Sequence, residues 1–259
     1  MKLWYQNVSN IDVRPEYKAA MTKYVNSVAD PGTVIECYGS PTGLGGEEYN
    51  SIRYFDVNWV LNNAIKAERN GYDAFIIGNT LDAALQEARE LVNIPVIGHL
   101  QTALFLISTM AKNFSIVTSH RKFASYWEGL IANYGYKDRL VSIVGMDIEV
   151  TMYEKLYTDK KFEEARIEQI LEHCKKAVAA GAELLYVLPA SMYLRLEKRG
   201  IKEIDGAPIF NSIPGVIKMA ELMVKYRQIT GMFVSRKLTY ALPPKELVDQ
   251  LIVRHNLKV

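Results

Sequence analysis

The stretch from Gly71 to Leu100, GYDAFIIGNTLDAALQEARELVNIPVIGHL, sets a short apolar strand beside a small polar tip, a helix and a second apolar strand. Apolar runs of this kind, bounded by turn residues, recur at Leu3–Tyr5, Val34–Cys37, Ala74–Ile77, Val96–Ile97, Phe114–Val117, Val141–Val144, Leu184–Leu188 and Ile209–Phe210. Between them lie segments of helical period, notably Tyr54–Arg69, Ala83–Val92, Arg121–Tyr134, Glu163–Ala180 and Gly215–Tyr226. Strands that alternate with helices predict an α/β fold with mainly parallel sheets.

The pattern also repeats on a larger scale. GYDAFIIGNT, led by Gly71, and GAELLYVLPA, led by Gly181, share a leading glycine, an acidic third residue and a buried strand, and each is followed by a helix and a Pro-led strand. Two pseudo-symmetric lobes follow, each a mainly parallel four-stranded sheet flanked by helices. The first is expected over residues 1–104 with 214–259, the second over 105–213. Ligands of parallel α/β sheets sit beyond the carboxyl ends of the strands. If the lobes face each other, the tips at Asn79–Thr80, His99, Thr118–His120, Pro189–Ser191 and Asn211–Ser212 meet in one cleft.

Composition narrows the partners. With 31 Lys and Arg against 29 Asp and Glu, the net charge is +2, and the chain has no field to draw nucleic acid or an anionic membrane. The start, MKLWYQNVSN, has no apolar signal core, and no apolar run reaches the ~20 residues of a membrane span, so a cytoplasmic protein acting on a small molecule is expected. Cys37, on a strand, and Cys174, on a helix, have no metal-type spacing and read as packing residues of a reducing compartment.

The ordered blocks YDAFIIGNTLDAALQEARELVNIPVIG, FSIVTS, GAELLYVLPASM and APIFNSIPGVIKMAELM resemble the aspartate/glutamate/hydantoin racemase superfamily over most of the chain. The resemblance implies two α/β lobes holding a small carboxylate or cyclic ureide between them. It also implies a homo-oligomer, and catalysis by two cysteines, one at a strand tip of each lobe. Here those positions fall at Asn79 and about Pro189. An amide has no accessible pKa for proton abstraction and proline has no side-chain donor or acceptor, so two-thiol racemisation is not expected.

Other residues are then candidates for the chemistry. Asn79 and Thr80 offer an amide, a hydroxyl and helix-start N–H groups to an anion, although the same donors serve as a helix cap. The resemblance carries substrate binding over to Thr118 and Ser119. His99 and His120, at strand ends, have the side chain that titrates nearest neutrality and are the leading proton carriers. The Gly-rich loop 39–50, GSPTGLGGEEYN, lacks a P-loop's Gly-Lys-Ser/Thr and reads either as a mobile surface turn or as a lid that brings Glu47, Glu48 or Tyr49 to the cleft, Glu47 being a further candidate base. Gln6, Asn7 and Ser9 run off the first strand as substrate-binding candidates, with Pro189, Ser191 and Asn211 on the opposite side. Tyr126, Trp127 and Tyr193 fall at helical spacing and read as core or interface.

No HxH or HxxxH spacing is present, so neither a metal nor another cofactor is expected. The chain therefore reads as a cofactor-independent enzyme on a small carboxylate or cyclic amide, a hydrolase, lyase or isomerase with non-cysteine acid–base groups and oxyanion-type stabilisation. The competing reading is a metabolite-binding or accessory protein that kept the fold and lost the thiols.

Overall fold

The computed structural model describes residues 1–41, 43 and 45–257. Its first part runs β1 (Lys2–Gln6), α1 (Pro15–Ser27), β2 (Val34–Tyr38), α2 (Asn50–Arg69), β3 (Ala74–Ile77), α3 (Leu85–Leu91) and β4 (Val96–Ile97). It continues with α4 (His99–Met110), β5 (Phe114–Thr118), α5 (Ala124–Asn133), β6 (Leu140–Gly145), α6 (Lys155–Thr158), α7 (Lys160–Ala179), β7 (Leu185–Leu188) and α8 (Ala190–Lys198). The hairpin β8 (Glu203–Ile204) and β9 (Ala207–Pro208) precedes α9 (Ser212–Thr230) and α10 (Lys245–Arg254).

The strands form two parallel sheets, ordered β2-β1-β3-β4 and β6-β5-β7. The same order recurs in the second sheet because Ile209 bridges Leu185 in parallel, in the position that β4 holds in the first. The expected strand Ile209–Phe210 is shortened to that bridge, with the Phe210 N–H donating to the Leu185 carbonyl at 2.7 Å. The residues just before it are committed to the β8–β9 hairpin, and Asn211 just after it caps α9. Only two residues are left free to pair.

Both faces of the first sheet are covered, as a parallel sheet requires. Leu3, Tyr5, Ala74 and Ile76 face a core completed by α1 and α9, whereas Trp4, Phe75 and Ile77 face the core under α2, α3 and α4. Helix α7 covers β5, β6 and β7 of the second sheet. Among the described residues, no helix is long and apolar enough to cross a membrane.

One feature of this packing bears on the polar tip of β3. Gly78 lies against the ring of Tyr5, where an added Cβ would come within 2.2 Å of Cε1. Tyr5 is fully buried and cannot swing away. Gly78→Ala is therefore expected to destabilise the fold by about 1–3 kcal/mol through overpacking, read as a lowered denaturant midpoint at unchanged slope.

Candidate active site

In each sheet the chain winds outward in opposite directions from two central strands, β1 and β3 in the first and β5 and β7 in the second. Each pair marks a switch point where neighbouring connections diverge and open a crevice. The segments leaving all four strands line a single cleft of about 90 Å³. Asn7, Val8 and Ser9 come from β1, Gly78 to Leu81 from β3, Ser119 from β5, and Pro189 to Ser191 from β7.

Most of the expected residues meet here. Asn7, Glu47, Asn79, Thr80, His99, Ser119, Pro189 and Ser191 all line the cleft. The two positions at which the resemblance would place cysteines, Asn79 and Pro189, thus share one cavity, while Cys37 and Cys174 are buried in β2 and α7 away from it. Asn79 uses its Oδ1 to accept the Leu81 N–H at 3.1 Å, and its Nδ2 is buried without a hydrogen-bond partner among the described residues. Asn79 is thus a turn residue and not the helix cap, since α3 starts only at Leu85, and the turn acceptor and the free donor are two ends of the same amide.

Four other expected residues are placed elsewhere. Gln6 is saturated: its Oε1 accepts from Trp4 Nε1 at 2.8 Å and Asn63 Nδ2 at 2.9 Å, and its Nε2 donates to the Asn7 carbonyl at 2.7 Å. Thr118 is fully buried beneath the cleft floor and does not line it. His120 turns back on its own backbone, its Nδ1 accepting the Lys122 N–H at 3.1 Å. Asn211 caps α9 and donates to the Tyr24 hydroxyl. His99 differs from expectation in its setting: it does not end a strand but opens α4. The Asp82 carboxylate accepts the N–H groups of Leu100 and Gln101, so helix geometry begins directly after Gly98.

His99 is fully buried, with Nε2 2.7 Å from the Ser212 hydroxyl and Nδ1 without a partner among the described residues. Burial pushes its pKa down to about 4, which leaves the imidazole neutral over the physiological range. Glu47 is displaced the opposite way. It is buried, neither carboxylate oxygen has a partner among the described residues, and desolvation raises its pKa, with the nearby Arg14 charge acting against the shift. Arg53 holds the segment by donating to the Glu47 carbonyl at 3.0 Å while lying over the Tyr126 ring at 3.9 Å. Of the Gly-rich loop, Thr42 and Leu44 lie outside the described residues. Glu48 and Tyr49 border a separate surface hollow, with Lys122 above the Tyr49 ring.

Sequence reasoning missed three groups at the cleft. Arg14 is buried at its rim, donating to the Ser9 hydroxyl at 3.1 Å, and Tyr153 lies across from it with its hydroxyl 2.6 Å from Ser119 Oγ. No motif announces either, because both reach the cleft through folding of loops distant in sequence. Trp127, read as core, is buried but also forms cleft wall, together with Phe123, Val8, Leu81 and Val150. Its indole N–H is spent on the Thr80 carbonyl at 2.9 Å, so only its apolar surface faces the cavity. Among the described residues no group of His, Cys, Asp and Glu is arranged to hold a metal ion.

The Asp/Glu/hydantoin racemase family model matches residues 15–214. A hydantoin racemase of Pseudomonas sp. (strain NS671) is 27% identical over 238 residues, covering 90% of this chain and 91% of that protein. A hydantoin racemase of Rhizobium meliloti is 27% identical over 178 residues, 69% of each chain. Among solved structures, the allantoin racemase of Klebsiella pneumoniae superposes with a TM-score of 0.79 at 23% identity, over 95% of this chain and 94% of that one. That of Pseudomonas fluorescens gives 0.80 at 21% identity, over 94% and 97%.

The displaced Glu47 pKa has a consequence for stability. A carboxyl whose folded pKa lies above its unfolded value supports folding while protonated, and that support is lost as pH rises through the folded pKa and the buried group must ionise. Glu47→Gln, which keeps the shape without the charge, should therefore be more stable than the parent chain above the ordinary carboxylate range. The gap should widen with pH and close towards pH 4, as read by chemical denaturation across that range.

Proposed function

The chain belongs to the Asp/Glu/hydantoin racemase family, and from that premise we propose that it interconverts the enantiomers of a neutral cyclic ureide, without thiols and without a cofactor. The observation that carries the reading is the pair of proton-handling groups in one cleft, His99 and Glu47, whose burial shifts them in opposite directions, the imidazole down and the carboxyl up. Groups separated in this way take complementary acid and base roles. The names of the relatives, hydantoin racemase and allantoin racemase, supply the ring class.

The step starts from neutral His99 and protonated Glu47, the forms that burial favours for each. Neutral His99 then takes the proton from the ring carbon next to the carbonyl, and its C–H bonding pair passes into an enolate. Glu47 delivers its own proton to the opposite face of that carbon. The enzyme is left as imidazolium and carboxylate, and a proton returned through solvent restores the starting form. During the step the enolate oxygen is stabilised by the free Asn79 amide and by the Arg14 charge. The Phe123 and Trp127 wall keeps water away from the reacting carbon.

A neutral ring suits the cleft better than a free carboxylate. Besides the Glu47 carboxyl, the unpartnered groups of the cleft are an amide, an imidazole and the Ser191 hydroxyl, which match ring N–H and C=O groups. The cleft volume of about 90 Å³ favours a small ligand. The test follows 5-methylhydantoin in D2O by NMR and circular dichroism. The parent chain should exchange the C5 proton and lose optical activity, and Glu47→Gln and His99→Gln should each slow both by ~10²–10⁴-fold. The rate should follow a bell in pH, rising near pH 4 and falling where Glu47 ionises. Ligand stabilisation with no exchange in the parent chain would favour the binding-protein reading instead.

We propose self-association as well. Phe105 and Met110 on α4, and Leu222, Tyr226 and Ile229 on the adjoining α9, are exposed apolar side chains that a second copy would cover. Light scattering should give a mass that is a multiple of 29.4 kDa.

A further inference from the structure

The two ring nitrogens of His99 stand in different surroundings. Nε2 lies 2.7 Å from the hydroxyl of Ser212, 113 positions along the chain, while Nδ1 has no partner among the described residues. Both residues are buried, and the contact has the length of a full hydrogen bond. It is set by the packing of two helices. His99 opens α4 and Ser212 opens α9, and these helices lie against each other, with Gly215 of α9 leaving room for the Leu106 side chain of α4. Asn211 fixes the start of α9 by accepting the Ile213 N–H at 3.2 Å, so Ser212 is presented from the first turn of a helix rather than from a free loop.

A neutral imidazole carries one N–H and one lone pair, and the hydrogen bonds of the ring settle which nitrogen holds the hydrogen. A base must offer its lone pair to the substrate. Nε2 is committed to Ser212, which leaves Nδ1 as the nitrogen that can meet a ligand of the cleft His99 lines. The hydrogen is then on Nε2, and the serine oxygen accepts it. Ser212 also has somewhere to send its own hydrogen: the buried Tyr186 hydroxyl stands beside it and is otherwise without a partner among the described residues.

We propose that Ser212 is a positioning residue for the base: its Oγ accepts the His99 Nε2–H, holds the neutral ring in that tautomer, and so leaves the Nδ1 lone pair to take the substrate proton. As that proton arrives at Nδ1, the C–H bonding pair passes into the enolate and the Nε2–H keeps its bond to Ser212. The positive charge that develops on the ring strengthens this bond. Ser212 does not line the cleft and acts through the ring alone. The assignment rests on His99 being the base of the proposed transfer, and adds which nitrogen acts and what holds it.

Nitrogen NMR at neutral pH, on protein labelled in its histidine rings, locates the hydrogen; the His99 signals are those lost in His99→Gln. The parent chain should show a pyrrole-type Nε2 and a pyridine-type Nδ1 at His99. Ser212→Ala should turn this into a mixture of tautomers. It should also lower kcat for C5 exchange of 5-methylhydantoin by about tenfold at unchanged KM, a part of the ~10²–10⁴-fold that a positioned base supplies. Ser212→Thr, which keeps the hydroxyl, should restore both. A serine that only packs would move neither the tautomer nor kcat apart from KM. A protonated Nδ1 in the parent chain overturns the proposal, and that measurement needs no variant to fold. Tautomer and kcat both unchanged in Ser212→Ala overturn it as well. Failure of the parent chain to exchange the hydantoin would sink the functional reading alone, because the tautomer is read without turnover.

Discussion

A parallel sheet covered by helices on both faces has nowhere to place polar groups except at its strand ends, and the rest of this structure follows from that constraint. Trp4, Phe75 and Ile77 fill one face of the first sheet while Leu3, Tyr5, Ala74 and Ile76 fill the other. The cleft's polar groups come from where the central strands leave the sheets, at Asn7, Asn79, Ser119 and Ser191. Because both sheets wind outward from a central pair, the four exits converge. Apolar packing thus gathers the polar chemistry into one cavity, where pairs such as Arg14–Ser9 and Tyr153–Ser119 then bond to each other.

The same packing then acts on those groups electrostatically. Burial opposes the charged form of every titratable side chain, but the result depends on the sign of the charge. An imidazole is pushed to lose its proton and a carboxyl to keep one, so the same dry cavity favours the neutral forms of His99 and Glu47 that the proposed base and acid roles require. Sulfur would offer one residue type able to take both roles. In the proposed reading nitrogen and oxygen divide them, and burying Glu47 with no side-chain partner for its carboxylate among the described residues costs stability.

How much of this the sequence discloses depends on the distance over which each feature is determined. β3, β4 and the Asn79–Thr80 tip are legible because an apolar run, a turn and a helix follow one another within a few residues. Helix α1 is harder to read: only Tyr17, Met21 and Val25 are buried, a narrow stripe among polar residues. Helix α10 has no buried residue, so its periodicity marks no core face. His120 and His99 look equivalent as histidines at strand ends, yet one caps its own turn and the other opens a helix. The difference lies in Asp82, seventeen positions before His99, whose carboxylate starts α4 where a strand end would be read. Arg14 and Tyr153 are invisible for the same reason, since each reaches the cleft from a loop whose course is fixed by contacts far along the chain.

The strained turn after β3 connects these levels. Asp82 and Ala84 both adopt positive φ, 45° and 58°, within a segment that carries four cleft residues, Gly78 to Leu81. A turn built only to join β3 to α3 would not need such a conformation, and Gly78, which could adopt it freely, is instead held by the close approach of the Tyr5 ring. The strain is therefore placed where it aims a side chain rather than where it is easiest to accommodate. What it aims is the Asp82 carboxylate, inward at the α4 N–H groups, and the hydrogen bonds from Leu100, Gln101 and Tyr134 offset the cost of both the conformation and the buried charge. The geometry that starts α4 thus also fixes the height of His99 relative to Asn79, so the backbone conformation of one turn and the spacing of these two cleft residues are a single determination.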